Sequence, residues 1–232
     1  MPSRDFPTPL SQAWVDNARA WLASPGEPLV PRGASTVMVV RDSSDGPMVF
    51  VQRRVSSMAF APSMFVFPGG GVDAQDGSAD LDPAEVARLA ERMQLTAQEA
   101  TPLLAAALRE VEEECGLRLD VADLVPRAHW VTPPFEKRRY DTWFFAAPMP
   151  HGQEALGTTT ETDHDAWVTP KSLLTAYAEG RAVMLPPTVV ALEQLARFGS
   201  VADFLADAPL LTVVSPELVD LGDRLVMRSD IP

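Results

Sequence analysis

Residues 108–117 read LREVEEECGL and load Glu110, Glu112, Glu113 and Glu114 onto one short helical stretch. Like charges one turn apart cost a helix about 0.2 to 0.5 kcal/mol per pair, so a cluster this dense needs something to offset it. At about 100° per residue, Leu104, Leu108, Val111 and Cys115 share one narrow arc, while Glu110, Glu113 and Glu114 lie on the other side. Two readings compete. A charge run is most often a solvated helix face. Alternatively, carboxylates gathered on one face suit Mg2+ or Mn2+, hard cations that take a few carboxylates together with substrate phosphates. Arg109, four residues before Glu113, is spaced to hold one of those carboxylates in place.

The surrounding elements have to position that helix. Residues 34–41, ASTVMVVR, and 48–54, MVFVQRR, are apolar and β-branched, with the turn residues DSSDGP between them, and predict a hairpin or two neighbouring strands. FVFPGGGVD at 65–73 is a short strand running into Gly69, Gly70 and Gly71, where backbone can approach another group closely. From Asp82 the pattern becomes helical, with Asp82 as N-cap, Pro83 at the first position and Glu85 at the third. Thr96 opens a second short segment, Thr101 with Pro102 caps a third helix, and Gly116 stops it. Two strands follow, around Trp130–Val131 and Trp143–Phe145, joined by PPFEKRR. HGQEALGTTTETDHD at 151–165 reads as loop, AWVTP as a short strand, and Pro170 onward, TVVALEQLARF and VADFLAD as helices. Residues 10–23 form an amphipathic N-terminal helix, closed by SPGEPLVPRG, and the final twenty or so residues carry no clear signal.

The wider spacing decides between the two readings of the acidic helix. Arg109-Glu110-Val111-x-Glu113-Glu114-x-Gly116-Leu117 matches the seven defined positions in the second half of the Nudix box, REUxEExGU, with U a bulky aliphatic. The sequence therefore resembles the Nudix hydrolases. The box's first half, Gx5Ex7, does not follow at normal spacing, but Gly70 is followed after five residues by Asp76 in place of the box's first Glu. Between Asp76 and Arg109 lie 32 residues where the box has seven, so the pattern looks like a Nudix box with a helical insertion at about 77–101. A split box behind VFPGG, with WVTPPF, RRYDTWFF and LPPT downstream, is similar to the coenzyme A diphosphatase-like branch, although no coenzyme A signature is evident.

The resemblance implies an α/β fold: an α/β/α sandwich around a mixed central sheet, with extra helices at the N- and C-terminal sides. It implies an N-terminal helix and Pro-rich lead-in over 1–33 and a catalytic domain over 34–232. The implied reaction is metal-dependent hydrolysis of a nucleoside diphosphate linked to another moiety. The candidates are coenzyme A or an acyl-coenzyme A, or else ADP-ribose, a nucleotide sugar or a dinucleotide. Glu110, Glu113 and Glu114 would hold Mg2+ (or Mn2+) with the backbone carbonyl of Gly70 or Gly71, and Gly69 and Gly71 would border the diphosphate. Arg109 would act in the same site. The general base stays open between Glu113, Glu114 and a late-loop glutamate, for which Glu161 is the candidate, with Asp163 and Asp165 competing. Arg54, Arg138 and Arg139 are candidate phosphate contacts, against ordinary surface roles. Phe60, Phe65, Phe67, Trp130 and Phe135 are candidate base platforms or core residues. His164 reads as a loop histidine and Cys115 as packing. A module that binds nucleotide without cleaving it is the alternative of another class, disfavoured because all three box acids are present.

Composition fits this picture. With 19 Lys+Arg against 32 Asp+Glu and a formal net charge of -13, the chain lacks the basic face that nucleic-acid binding requires. A phosphorylated substrate would need a cation's help. The single cysteine allows no intramolecular disulfide, the N-terminus lacks a leader's basic-then-apolar order, and no apolar run approaches the ~18 residues of a membrane span. These features predict a cytoplasmic protein with no membrane or nucleic-acid partner. The insertion and the N-terminal helix are candidate surfaces for a homodimer.

Overall fold

The computed structural model describes residues 3–7, 12–55, 63–157, 159–160, 162–222 and 224–231. The hairpin predicted near the start is β2 (Arg32–Ser43) and β3 (Gly46–Arg54), paired antiparallel, behind β1 (Ser3–Pro7) and α1 (Gln12–Ala23). Then come β4 (Phe65–Val66), the glycine strand β5 (Gly69–Gly71), α2 (Pro83–Met93), α3 (Ala97–Cys115), β6 (Val125–Val131), β7 (Tyr140–Pro148) and β8 (Thr162–Val168). The chain continues through α4 (Pro170–Ala178), α5 (Pro186–Leu195), α6 (Val201–Ala206), β9 (Val213–Val214), β10 (Glu217–Asp220) and β11 (Leu225–Asp230).

The main sheet runs β4-β3-β2-β7-β6-β9, with β5 pairing β2 and β8 pairing β3. It is mixed, because β2–β7 and β6–β9 are parallel and the other pairs antiparallel. Strand alternation divides the core. On β2, Val37 and Val39 pack with Leu104, Val111 and Leu89 of α3 and α2, whereas Met38 and Val40 pack with Leu173, Leu192 and Phe204 of the later helices. Helix, sheet, helix is thus the layering, as expected from the resemblance.

Three expectations need correcting. The helix expected to begin at Thr101–Pro102 begins at Ala97, and α3 runs unbroken through Pro102. Thr96 and Glu99 close a reciprocal capping box, so the true start signal is the earlier one. Thr101 donates its hydroxyl to the Ala97 carbonyl at 2.8 Å and caps nothing. An interior proline costs a helix about 3 kcal/mol, which the cap and the burial of Ala100, Leu104 and Val111 outweigh.

Asp163, His164 and Asp165, expected in a loop, lie in β8, with His164 opposite Arg53, Asp165 opposite Gln52 and Asp163 at the register shift between Arg53 and Arg54 of β3. Alternating charged residues on a half-exposed strand give no hydrophobic signal. The C-terminal residues, read as featureless, supply β9, β10 and β11, and β11 pairs with β1 in a small separate sheet ordered β1-β11-β10. β9 pairs with β6 and β11 with β1, both far away in sequence, while β10 and β11 form a hairpin whose short strands carry no clear alternation. No described helix is long and apolar enough to cross a membrane.

Candidate active site

Helix α3 buries Leu104, Val111 and Cys115 against the sheet completely. Ser35 of β2 donates its hydroxyl to the Leu103 carbonyl at 2.7 Å, which fixes the helix's height above the strand. The acids do not form a uniformly solvated face. Glu114 is only 8% exposed and accepts the Gly69 N–H at 2.9 Å. Glu110 lies against Gly70 so closely that a Cβ added there would sit 2.5 Å from its carboxylate oxygen. At Gly69 a Cβ would sit 2.4 Å from the Ser35 carbonyl oxygen. Gly69 is therefore a steric requirement against the β2 backbone, and Gly70 admits a side chain only if Glu110 turns away, whereas Gly71 has open space.

The two halves of the split box meet in space. Asp76, in the short 3-10 turn Ala74–Ser78, is buried and accepts two hydrogen bonds of 3.0 Å from Nε and Nη2 of Arg109. It also accepts the Asp73 N–H at 2.8 Å. Burial pushes its carboxyl up, but the Arg109 bonds and the Asp73 N–H outweigh burial and hold it below the ordinary carboxylate value. Arg109 further donates to the Gly71 carbonyl at 3.0 Å, to Glu110 at 2.7 Å and to Glu113 at 3.4 Å. Its guanidinium is raised first by the Asp76 bond. One arginine thus ties the Asp76 turn, the glycine strand and two box acids together.

Glu110, Glu114 and residues 69–71 form the acidic side of a cavity of about 380 Å³. Across β2 from the glycine strand the lining is aromatic, with Tyr140 and Phe144 of β7 and Trp130 of β6, and Phe67, Thr142 and Thr188 complete it. Burial raises the Glu110 carboxyl, with Arg109 opposing. A cation in the cavity would relieve that cost, and the donor set fits a hard divalent ion: two carboxylates on one wall beside backbone carbonyls of the glycine strand. Glu113 is more than half exposed and turned toward Arg109. Among the described residues, no three acidic, histidine or cysteine side chains converge on one point, so these two carboxylates leave most coordination positions to substrate oxygen and water.

The other candidates are dispersed. Arg54 lines the cavity. Arg139 does not: it donates to the Thr132 carbonyl at 3.0 Å and the Leu29 carbonyl at 2.6 Å. Arg138 is exposed on the loop before β7, away from the lining. Asp163 is engaged by Arg53 at 2.7 Å, and Asp165 accepts the Gly157 N–H at 3.3 Å. His164 meets the Phe65 ring edge-on at 6.4 Å between centroids. Phe135 is core, and Cys115 is buried, its thiol pushed up by burial. Glu161 and Phe60 lie outside the described residues. Ser35, Thr36, Tyr140, Thr142, Phe144 and Thr188 line the cavity without having been singled out from sequence. A signal existed for one: Phe144 and Trp130 share a core face on neighbouring strands, which period-two alternation would have shown.

Comparison with known proteins shows the family and the fold. The NUDIX domain family matches residues 31–187, and the chain belongs to that family. Its catalytic class is that of a pyrophosphohydrolase. The fold is similar to that of a NUDIX hydrolase from Alicyclobacillus acidocaldarius, with 23% identity, a TM-score of 0.64, and coverage of 77% of this chain and 96% of that one. The NUDIX domain of Shewanella oneidensis NrtR complexed with ADP ribose matches with 13% identity and a TM-score of 0.48, covering 81% and 97%. A C. elegans Ap4A hydrolase binary complex matches with 13% identity and a TM-score of 0.46, covering 72% and 96%. No curated protein matches the chain.

Proposed function

We propose that this chain hydrolyses the diphosphate linkage of a nucleoside diphosphate joined to another moiety, with a divalent metal as cofactor. The observation that carries the reading is the convergence of Glu110 and Glu114 on the Gly69–Gly71 strand inside one cavity, with Arg109 braced by Asp76 behind them. Glu110, Glu114 and the Gly70 carbonyl would hold Mg2+ or Mn2+, with Glu113 at the rim. The metal, when bound, neutralises substrate charge and lowers the pKa of a water.

The residues do the rest. Backbone of the glycine strand borders the diphosphate, and Arg54 is the cationic side chain among the described lining residues. A carboxylate, Glu113, Glu114 or Glu161, takes the proton of the attacking water. Attack occurs in line on one phosphorus and the other phosphate leaves, giving a nucleoside monophosphate and a phosphorylated partner.

Two substrate readings follow from particular residues. The split box and its downstream segments favour coenzyme A or an acyl-coenzyme A. That Arg54 is alone among the described lining residues as a cation favours ADP-ribose, a nucleotide sugar or a dinucleotide, which carry no extra phosphate ester. The test is a hydrolysis screen with Mg2+ and with Mn2+ over coenzyme A and its acyl esters, ADP-ribose, NADH, dinucleotide polyphosphates and nucleotide sugars. Products are identified by mass. Release of 3',5'-ADP supports the first reading, cleavage confined to the other compounds supports the second, and silence across the panel rejects both.

A further inference from the structure

The loop between β6 and β7 leaves the cavity wall at Trp130 and rejoins it at Tyr140. Its neck is closed from within, since the Thr132 N–H donates to the Tyr140 carbonyl at 2.9 Å and the Tyr140 N–H donates to the Thr132 hydroxyl at 3.0 Å. Its body is held from outside by residues N-terminal to the catalytic sheet. The Trp14 indole N–H of α1 donates to Glu136 at 2.6 Å, and the same indole meets the Phe135 ring edge-on at 5.1 Å. Asn17 donates to the Phe135 carbonyl at 3.2 Å. The lead-in completes the clasp: Arg139 reaches the Leu29 carbonyl, and the Arg32 N–H donates to the Arg139 carbonyl at 2.9 Å. Phe135 is 4% exposed, so the loop hangs from a ring sunk in the core rather than moving over the surface.

We propose that α1 and the lead-in belong to the substrate site: they brace the loop so that Trp130 and Tyr140 form a fixed wall for the organic group of the substrate. The inference rests on the diphosphatase reading above. Phosphates are drawn to the acidic, metal-binding side of the cavity, so the remaining moiety faces the aromatic side. A wall that contacts only that moiety governs binding and specificity, while the box acids govern the chemistry. Trp14, Asn17 and Glu136 do not line the cavity and act as positioning residues.

The test uses the full chain with Mg2+ and the panel compound that wild type hydrolyses fastest, with inorganic pyrophosphate as competitive inhibitor. Trp14→Phe keeps a ring against Phe135 and removes the N–H; Glu136→Leu removes the acceptor. In both, KM rises about fivefold to tenfold, the worth of one well-placed hydrogen bond. kcat stays within twofold and the pyrophosphate inhibition constant, which senses only the acidic side, does not move. Glu136→Gln keeps an acceptor for the indole N–H and restores KM. If Trp14→Phe does not fold, Asn17→Ala replaces it with the same expectation. Unchanged KM in an active enzyme, or KM and the pyrophosphate constant rising together, overturns the brace alone. A wild type silent on the whole panel overturns the diphosphatase reading and the brace with it.

Discussion

Asp76 and Arg109, 33 positions apart, face each other through two parallel hydrogen bonds of 3.0 Å. Removing one partner of a buried pair typically costs 3 to 5 kcal/mol, and Arg109 keeps its other acceptors, so Asp76→Ala should cost about 3 kcal/mol. Because the Asp76 carboxyl is held below its ordinary 3.8, its stabilisation is fully present above that value and is lost as pH falls through the lower folded value. Urea unfolding should show a constant wild-type advantage from neutral pH to about pH 5 that shrinks in more acid solution. An advantage independent of pH would show that the ion pair is not its source.

Gly70→Ala tests the close approach of strand and box helix. The added methyl would lie 2.5 Å from the Glu110 carboxylate oxygen, so Glu110 must turn away. Turnover should fall about a hundredfold, the scale of a 1 Å misplacement at a reacting centre, with little change in melting temperature. Full activity would place the reaction elsewhere.

Glu114→Gln should preserve the fold, because an amide oxygen can still accept the Gly69 N–H. Activity at saturating Mg2+ should drop by orders of magnitude, and near-normal turnover would sink the assignment of the box acids.

Mg2+ or Mn2+ should raise the melting temperature of wild type, since an ion that binds only the folded chain adds about 1.4 kcal/mol at ten times its Kd. The same titration on Glu114→Gln should show a much smaller shift. Equal shifts in both proteins would mean that the stabilising ion sits away from Glu114.

Glu136 supplies a test of opposite sign. Burial raises its carboxyl above 4.5 despite the Trp14 bond, so its contribution is present below 4.5 and is lost as pH rises through the folded value. Glu136→Gln should melt higher than wild type at pH 8, and the gap should close toward pH 4. Thermal scans across that range check it; a gap that widens in acid would contradict a burial-dominated site.

What was legible in the sequence follows from distance along the chain. The box acids, the glycine run and the Asp82 and Thr96 caps are local signals, and each marks an element the structure contains. Asp76 was legible as a replacement for the box glutamate, but its contact with Arg109 depends on how α2 docks on α3. Arg139 lies off the cavity lining for a similar reason. Its pull comes from the Leu29 carbonyl, 110 positions away, and no residue-type argument reveals such a neighbour. Pro102 misled because a strong local breaker was set against a better cap one turn upstream. β11 was hard to see because one of its partners, β1, lies more than 200 positions away, and the β10–β11 hairpin is too short and too mixed in polarity to show an alternation.

The insertion that separates the two halves of the box also sets the entropic cost of joining them. Joining Asp76 to Arg109 closes a loop of 32 residues where the uninterrupted pattern closes seven. Chain entropy makes that closure about 1.3 kcal/mol harder, a little over two doublings of loop length. The difference vanishes once α2 and α3 have formed and packed, because the hairpin then carries its two ends back together as a rigid staple. Joining the two halves of the box is therefore contingent on a helical hairpin whose first helix does not line the substrate cavity.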